Sequence, residues 1–223
     1  MIRAAVIAAA ASLVGAAAAT AVRTGPADDP GTLVDNASVR VMRHHLAPGA
    51  TAGVAPIESP ALIVQLTAGD VDLTVGNARA SGPREAGAIA YVPARTQARA
   101  RNIADRAATD IVVVGFKQGR VRPGEMPSVD APPGITRTPL LDNGDTRVVR
   151  VEFASNGREP VHTHPYDLIT LQISQGRVEI LDGDTKTTGD REPGFANFVP
   201  RNRPHAYASA DSKTFEILSV AIK

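Results

Sequence analysis

The chain contains no cysteine and no tryptophan. Disulfides, thiolate metal sites and cysteine nucleophiles are therefore excluded. Aromatic residues amount to 4%, with three Tyr and five Phe, so Val, Ile, Leu and Ala must fill most of the core. A dominant charge is also missing: Lys and Arg number 24 against 23 Asp and Glu, a formal net of +1, with no basic block. Nucleic-acid binding gains no support from this balance. No Ser/His/Asp arrangement, phosphate-binding loop or dinucleotide fingerprint is visible.

Long apolar runs are absent except at the start. Arg3 is followed by an apolar stretch over positions 4–19, interrupted by Ser12 and Gly15, and then by the small-x-small triplet Ala19, Thr20, Ala21. This reads as a signal peptide over 1–21. The alternative is an uncleaved anchor, since the run is close to membrane-spanning length. Alanine is only weakly hydrophobic, which favours cleavage. The mature protein is expected in the periplasm or secreted, and off the membrane.

What is present is turn residues. The 223 positions include 19 Gly and 17 Pro, spread along the chain. They separate short apolar stretches, as many strands joined by turns would require. The length suits one or two domains.

The chain also resembles itself. An offset of 107 positions lays residues 40–116 over 147–223 without a gap. Arg40, Val41 and Arg43 fall on Arg147, Val148 and Arg150. Gln65, Gly69 and Val71 fall on Gln172, Gly176 and Val178. Gly82, Arg84, Glu85 and Gly87 fall on Gly189, Arg191, Glu192 and Gly194, and Val92-Pro93 falls on Val199-Pro200. Between these anchors apolar residues meet apolar ones, Ile111 with Leu218 among them. Alanine and valine richness alone would not align Gly, Pro, Arg, Glu and Gln. Each copy is expected to be an all-β unit of short strands, a sandwich or barrel. Residues 22–37 form a polar lead-in. Residues 118–139, with five prolines, form an extended linker.

The second copy carries Gly157, then His162-Thr163-His164, then Gly176, Pro193-Gly194, Pro200 and His205. On a strand, His-x-His turns both imidazoles to one face. A third histidine from a neighbouring strand would complete a triangle of nitrogens with positions left open. His205 fits that role. Only five histidines exist; His44 and His45 are read as ordinary strand residues.

This arrangement resembles the two sequence motifs of the cupin family. The resemblance covers residues 145–223 and, through the repeat, 38–117. It implies two tandem cupin-like β-barrels of jelly-roll type: 38–117 without metal ligands and 140–223 with them. His162, His164 and His205 would hold one divalent transition metal per chain: Fe, Zn, Mn, Ni or Cu. The glutamate usual in the first motif is missing, because Leu168 and Ile169 stand where it is expected. Asp167 is the nearest carboxylate, either a fourth ligand through a local bulge or a supporting residue. Strand alternation favours a site of three histidines alone, which would leave the ion unusually positive and suited to an anionic or bidentate substrate. In the first copy Ala55, Ile57 and Ala98 replace the three ligands.

Tyr166, Phe195, Phe198 and Tyr207 are candidates to line the metal pocket, with core packing as the alternative. Arg158, Arg201 and Arg203 are candidates to meet an anion at its mouth, with a solvated loop role as the alternative. Asp167 and Glu216 are the nearby acid/base candidates. Two functions remain open at this point. One is a metal-dependent enzyme, oxygenase-like or isomerase/lyase-like, on a small organic substrate. The other is a periplasmic binding or sensor protein holding a metal or metabolite. A homodimer is compatible with either.

Overall fold

Residues 61–65 (ALIVQ) and 167–172 (DLITLQ) are buried at every position, which a strand achieves only when both its faces are covered. The computed structural model describes residues 31–54, 58–117 and 131–223, and every regular element among them is a strand. The expected signal peptide and most of the linker lie outside these residues.

The first half holds two antiparallel sheets. The large one runs β1 (Gly31–Asp35), β2 (Val39–Leu46), β9 (Thr109–Phe116), β4 (Ala61–Gln65), β7 (Ile89–Val92). The small one runs β3 (Thr51–Val54), β8 (Ala98–Asn102), β5 (Gly69–Val75), β6 (Ala78–Arg84). In the second half the large sheet runs β10 (Ile135–Asp142), β11 (Thr146–Phe153), β17 (Phe215–Ile222), β12 (Asp167–Gln172), β15 (Ala196–Val199). Its small sheet runs β14 (Thr185–Arg191), β13 (Gly176–Asp182), β16 (His205–Ser209). The large sheets share one strand order. Even their bulges correspond, between Thr32 and Val34 and between Pro139 and Leu141.

Side-chain alternation sorts the apolar residues into layers. Leu62, Val64, Val112 and Val114 meet Ile169, Leu171, Leu218 and Val220 in one core between the two large sheets. The intervening residues point inward: Ile63, Ile111 and Val113 toward the first small sheet, Val151, Phe215 and Ile217 toward the second. Burying each Val, Leu or Ile contributes about 1.5–3 kcal/mol, so the seam between the halves is a hydrophobic core rather than a hinge.

Two reciprocal contacts lock that seam. Arg43 Nη1 donates to the Pro193 carbonyl at 3.5 Å, and Arg150 Nη2 to the Ala86 carbonyl at 3.1 Å. The next residues are Gly87 and Gly194, with φ of 76° and 93°. A Cβ on Gly87 would stand 2.6 Å from Arg150 Nη2, and one on Gly194 would stand 2.9 Å from Leu66 Cδ2. The matched glycines are thus required twice over, by backbone conformation and by the close approach of the other half.

Three sequence readings need correction. The lead-in 22–37 contains β1, and the linker 118–139 runs into β10, which begins at Ile135. Both are edge strands with little apolar signal; β10 is mostly exposed. The gapless match also fails at its end. Val39 pairs with Phe116 and Thr146 with Ile222, so the last strands correspond at an offset of 106. The loop before β17 is one residue shorter than its counterpart. Leu218 therefore corresponds to Val112, in the seam, while Ile111 points inward. A one-residue slip exchanges the two faces of a strand, which apolar residues on both faces conceal.

Candidate metal centre

The segment before β12 departs from strand geometry where the histidines begin. In the first half the matching stretch is β3, paired regularly with β8 from Thr51↔Arg101 to Val54↔Ala98. In the second, Arg158 bridges Ala208 and His162 bridges His205. Four steps on one side therefore face three on the other, which is a β-bulge. Pro160 lies inside it and has no N–H to give to the ladder. Below the bulge, Glu159 N donates to the Tyr207 carbonyl at 2.9 Å. Above it, His162 and His205 exchange backbone bonds of 3.0 and 2.9 Å. Direct cross-strand neighbours on one face have adjacent side chains, and the two rings lie 4.4 Å apart. The expected regular strand through His162 and His164 is not formed. His164 is placed instead by Asn202 N, which donates to its carbonyl at 2.6 Å.

All three imidazoles are held at Nδ1. His162 Nδ1 donates to the Pro160 carbonyl at 2.8 Å and His205 Nδ1 to the Arg203 carbonyl at 3.0 Å. A carbonyl only accepts, so the proton sits on Nδ1 and the Nε2 lone pair is left for the cavity. The Tyr166 hydroxyl stands 3.0 Å from His164 Nδ1 and, when it accepts from that ring, leaves the Nε2 lone pair of His164 to the cavity as well. Nε2 of His162 and Nε2 of His164 are 3.1 Å apart. Two nitrogens at about 2.1 Å from one ion, at angles between right and tetrahedral, would stand about 3.0–3.4 Å apart. One ligand nitrogen from each histidine lies within 4.8 Å of the others. The donor set fits a divalent transition metal.

Burial dominates the electrostatics. It pushes the His164 imidazole down to about 3, with the nearby His162, His205 and Arg137 acting in the same direction. It also lowers His205, against the opposing pull of its bond to the Arg203 carbonyl. Both rings are neutral near pH 7 and ready to ligate, because no proton must leave first. Burial raises the Tyr166 and Tyr207 phenols, so both stay protonated.

The histidines open onto a cavity of about 250 Å³ between the two sheets of the second half. Val149, Val151, Leu168 and Ile217 belong to its apolar wall, and Tyr166, Thr170, Tyr207 and Ser219 are neutral polar groups on it. Arg137, Arg147 and Glu159 are its charged lining. Glu159 is buried; Oε1 accepts from Arg137 at 2.7 Å and Oε2 from Tyr207 N at 3.3 Å. Sequence reasoning missed these three. Arg147 was findable by alternation with Val149 and Val151. Glu159 was not, because only the bulge turns it inward.

Other candidates lie elsewhere. Asp167 does not line the cavity. It accepts from Ser38 Oγ at 2.6 Å, across the seam, and from Arg201 N at 3.0 Å. Its neighbours Leu168 and Thr170 take the cavity face. Phe198 packs on the seam core, and Phe195 is exposed under the Arg191 guanidinium. Arg158, Arg201 and Arg203 are paired with Glu179, Asp167 and Asp182 away from the cavity. Glu216 lies near Arg150. His45 pairs with Asp110, and buried His44 makes no bond at Nε2. In the first half Ala98 stands in place of His205, and Ala55 and Ile57 lie outside the described residues.

No family model matches the sequence, and no curated protein matches it. Solved structures do. A cupin 2 conserved barrel domain protein from Leptotrichia buccalis superposes with a TM-score of 0.60 at 13% identity, covering 90% of this chain and 91% of that one. The chain has a cupin fold. Salicylate 1,2-dioxygenase from Pseudaminobacter salicylatoxidans is similar at a TM-score of 0.66 and 11% identity, over 87% of this chain and 76% of that one. Oxalate decarboxylase from Lactobacillus farciminis, in a formate complex, gives 0.64 and 10%, over 87% and 84%. At such identities the likeness is one of fold, and function must be argued from the site.

Proposed function

We propose that this chain is an exported two-domain cupin whose second domain is a metal-dependent enzyme for a small organic substrate, while the first carries no metal. His162, His164 and His205 hold one divalent transition ion. The supporting observation is that each Nδ1 is engaged by oxygen, which leaves the three Nε2 atoms to meet at the cavity wall. When bound, such an ion supplies Lewis acidity or redox chemistry. The chain's own residues do the rest. The Pro160 and Arg203 carbonyls and the Tyr166 phenol fix the rings. Val149, Val151, Leu168 and Ile217 exclude water. Asn197 Nδ2 donates to Tyr207 OH at 2.9 Å, and that phenol lies 2.6 Å from Thr170 Oγ1. With the phenol donating to Thr170, the threonine proton is left for a bound molecule.

The test is elemental analysis of the purified chain followed by oxygen-uptake and product screens. One equivalent of metal is expected, lost in His205→Ala. Two tightly bound equivalents, or full retention in the variant, would overturn the reading. A second reading, a non-catalytic binder or sensor, is favoured by one observation. Glu159, the one carboxylate among the described cavity residues, has both oxygens engaged. Metal and ligand binding without turnover would select it.

A further inference from the structure

We propose that the cavity takes a small organic carboxylate and that Arg147 anchors it. This rests on the metal reading above. The wall carries two guanidinium groups and one carboxylate. Arg137 and Glu159 cancel one another at 2.7 Å, with side chains only 18% and 8% exposed. Among the described residues Arg147 has no equivalent partner. Its ion-pair neighbour Asp142 is 3.8 Å away and 55% exposed, beyond hydrogen-bond reach. Asp142 also binds Lys223 through its other oxygen. Among the described residues, Arg147 is thus the charged group of the wall without a hydrogen-bonded counter-charge, its ion pair with Asp142 being longer and more exposed than that of Arg137 with Glu159.

The histidines add no negative charge, so an ion held by them would keep its full double charge. A neutral occupant would leave that ion and Arg147 together in a partly desolvated cavity, whereas an anion balances them. The form of the anion follows from the wall. A guanidinium presents a planar fork that matches the two oxygens of a carboxylate. Arg147, Val149 and Val151 project inward from β11, about 6.6 Å apart in succession. A carboxylate at Arg147 therefore lays its body along the two valines, with Leu168 and Ile217 also on the apolar wall. Phosphate would carry more charge into the same apolar surroundings and have nothing to place there. Arg147 pairs with Ala221, and Ala221 with Leu168, two residues on from Tyr166, which puts the anchor at the Tyr166 end of the cavity.

The experiment is calorimetric titration of the zinc-loaded full chain. The probes are benzoate, phenylacetate and butyrate, their matching amides, and inorganic phosphate. Zinc stoichiometry is measured first. At least one carboxylate is expected to bind about tenfold or more tighter than its amide and tighter than phosphate. Arg147→Met should abolish that preference while keeping zinc and an unshifted thermal transition. Arg147→Lys should retain part of it, and Arg177→Met, on the outer surface, all of it. If no carboxylate outdoes its amide, if phosphate binds best, or if folded, zinc-loaded Arg147→Met keeps the preference, the inference is overturned. Failure of zinc to bind would sink the metal reading instead, and the two failures are told apart by the zinc measurement.

Discussion

Replacing Asp167 by asparagine would probe the metal centre and the seam between the halves in one variant. The Asp167 carboxylate is 10% exposed, accepts from Ser38 Oγ at 2.6 Å and Arg201 N at 3.0 Å, and faces Arg201 Nε at 3.4 Å. Asparagine keeps one oxygen for Arg201 N, and the Ser38 hydroxyl can turn to accept from the new amide. What is lost is charge. Two charge-assisted bonds become neutral, at about 1 kcal/mol each. The ion pair to Arg201, which is 39% exposed, adds only about 0–1 kcal/mol. The expected loss is about 2–3 kcal/mol, or a Tm lowered by roughly 5–10 °C in a chain of this size. The pH dependence has a fixed sign. Burial works to raise this carboxyl, but hydrogen bonds from Ser38 and Arg201 and the Arg201 charge together hold it below its ordinary 3.8. Its contribution is complete above that value and is lost as pH falls through the lower folded value. The Tm gap between wild type and variant should therefore be constant from about pH 8 to about pH 5 and close below about pH 4.

The metal readout of the same variant separates two roles. Asp167 steadies residues 200–204 through Arg201. Within that loop Asn202 N bonds His164, and the Arg203 carbonyl orients His205. Zinc stoichiometry should stay at one per chain while affinity falls up to ~10-fold, the scale of a lost supporting partner. Zinc lost as completely as in His205→Ala would make Asp167 a ligand and refute its placement at the seam. An unchanged Tm at pH 7 would refute the seam energetics.

Tyr166→Phe removes the hydroxyl 3.0 Å from His164 Nδ1; zinc affinity should drop ~10–100-fold with no change in fold by circular dichroism. Gly176→Ala puts a Cβ 2.6 Å from the Cβ of Phe215, which is fully buried and stacked on Phe153 at 4.7 Å. That overpacking should cost about 1–3 kcal/mol, seen as a lowered denaturation midpoint with zinc binding retained. Protein isolated from its native host should begin near Val22 by mass spectrometry, and an intact N-terminus would count against export.

The strand-rich character, the turns and the three histidines were legible in the chain because they depend on local chemistry. Glycine and proline mark turns wherever they fall, and imidazoles at 162, 164 and 205 are the ligand types a transition ion selects. The all-β fold followed from the same signals. The rest depended on which way each side chain faces, and a strand buried on both faces hides that. Residues 167–172 are buried throughout and carry polar residues on both faces, Asp167 on one and Thr170 and Gln172 on the other, so composition does not say which face meets the cavity; in the fold Asp167 bonds Ser38 across the seam. Glu159 is out of phase with His162 on a regular strand and joins the cavity only through the bulge at Pro160. The shorter loop before β17 exchanged seam and cavity residues without changing their apolar character. Arg137 fell within the expected linker and Arg147 was only an anchor of the repeat; the two line one cavity once the sheets of the second half have packed. Residue type is a property of the chain, but the face a residue presents is settled by register and by the partner strand, and these exist only once the sheets have packed.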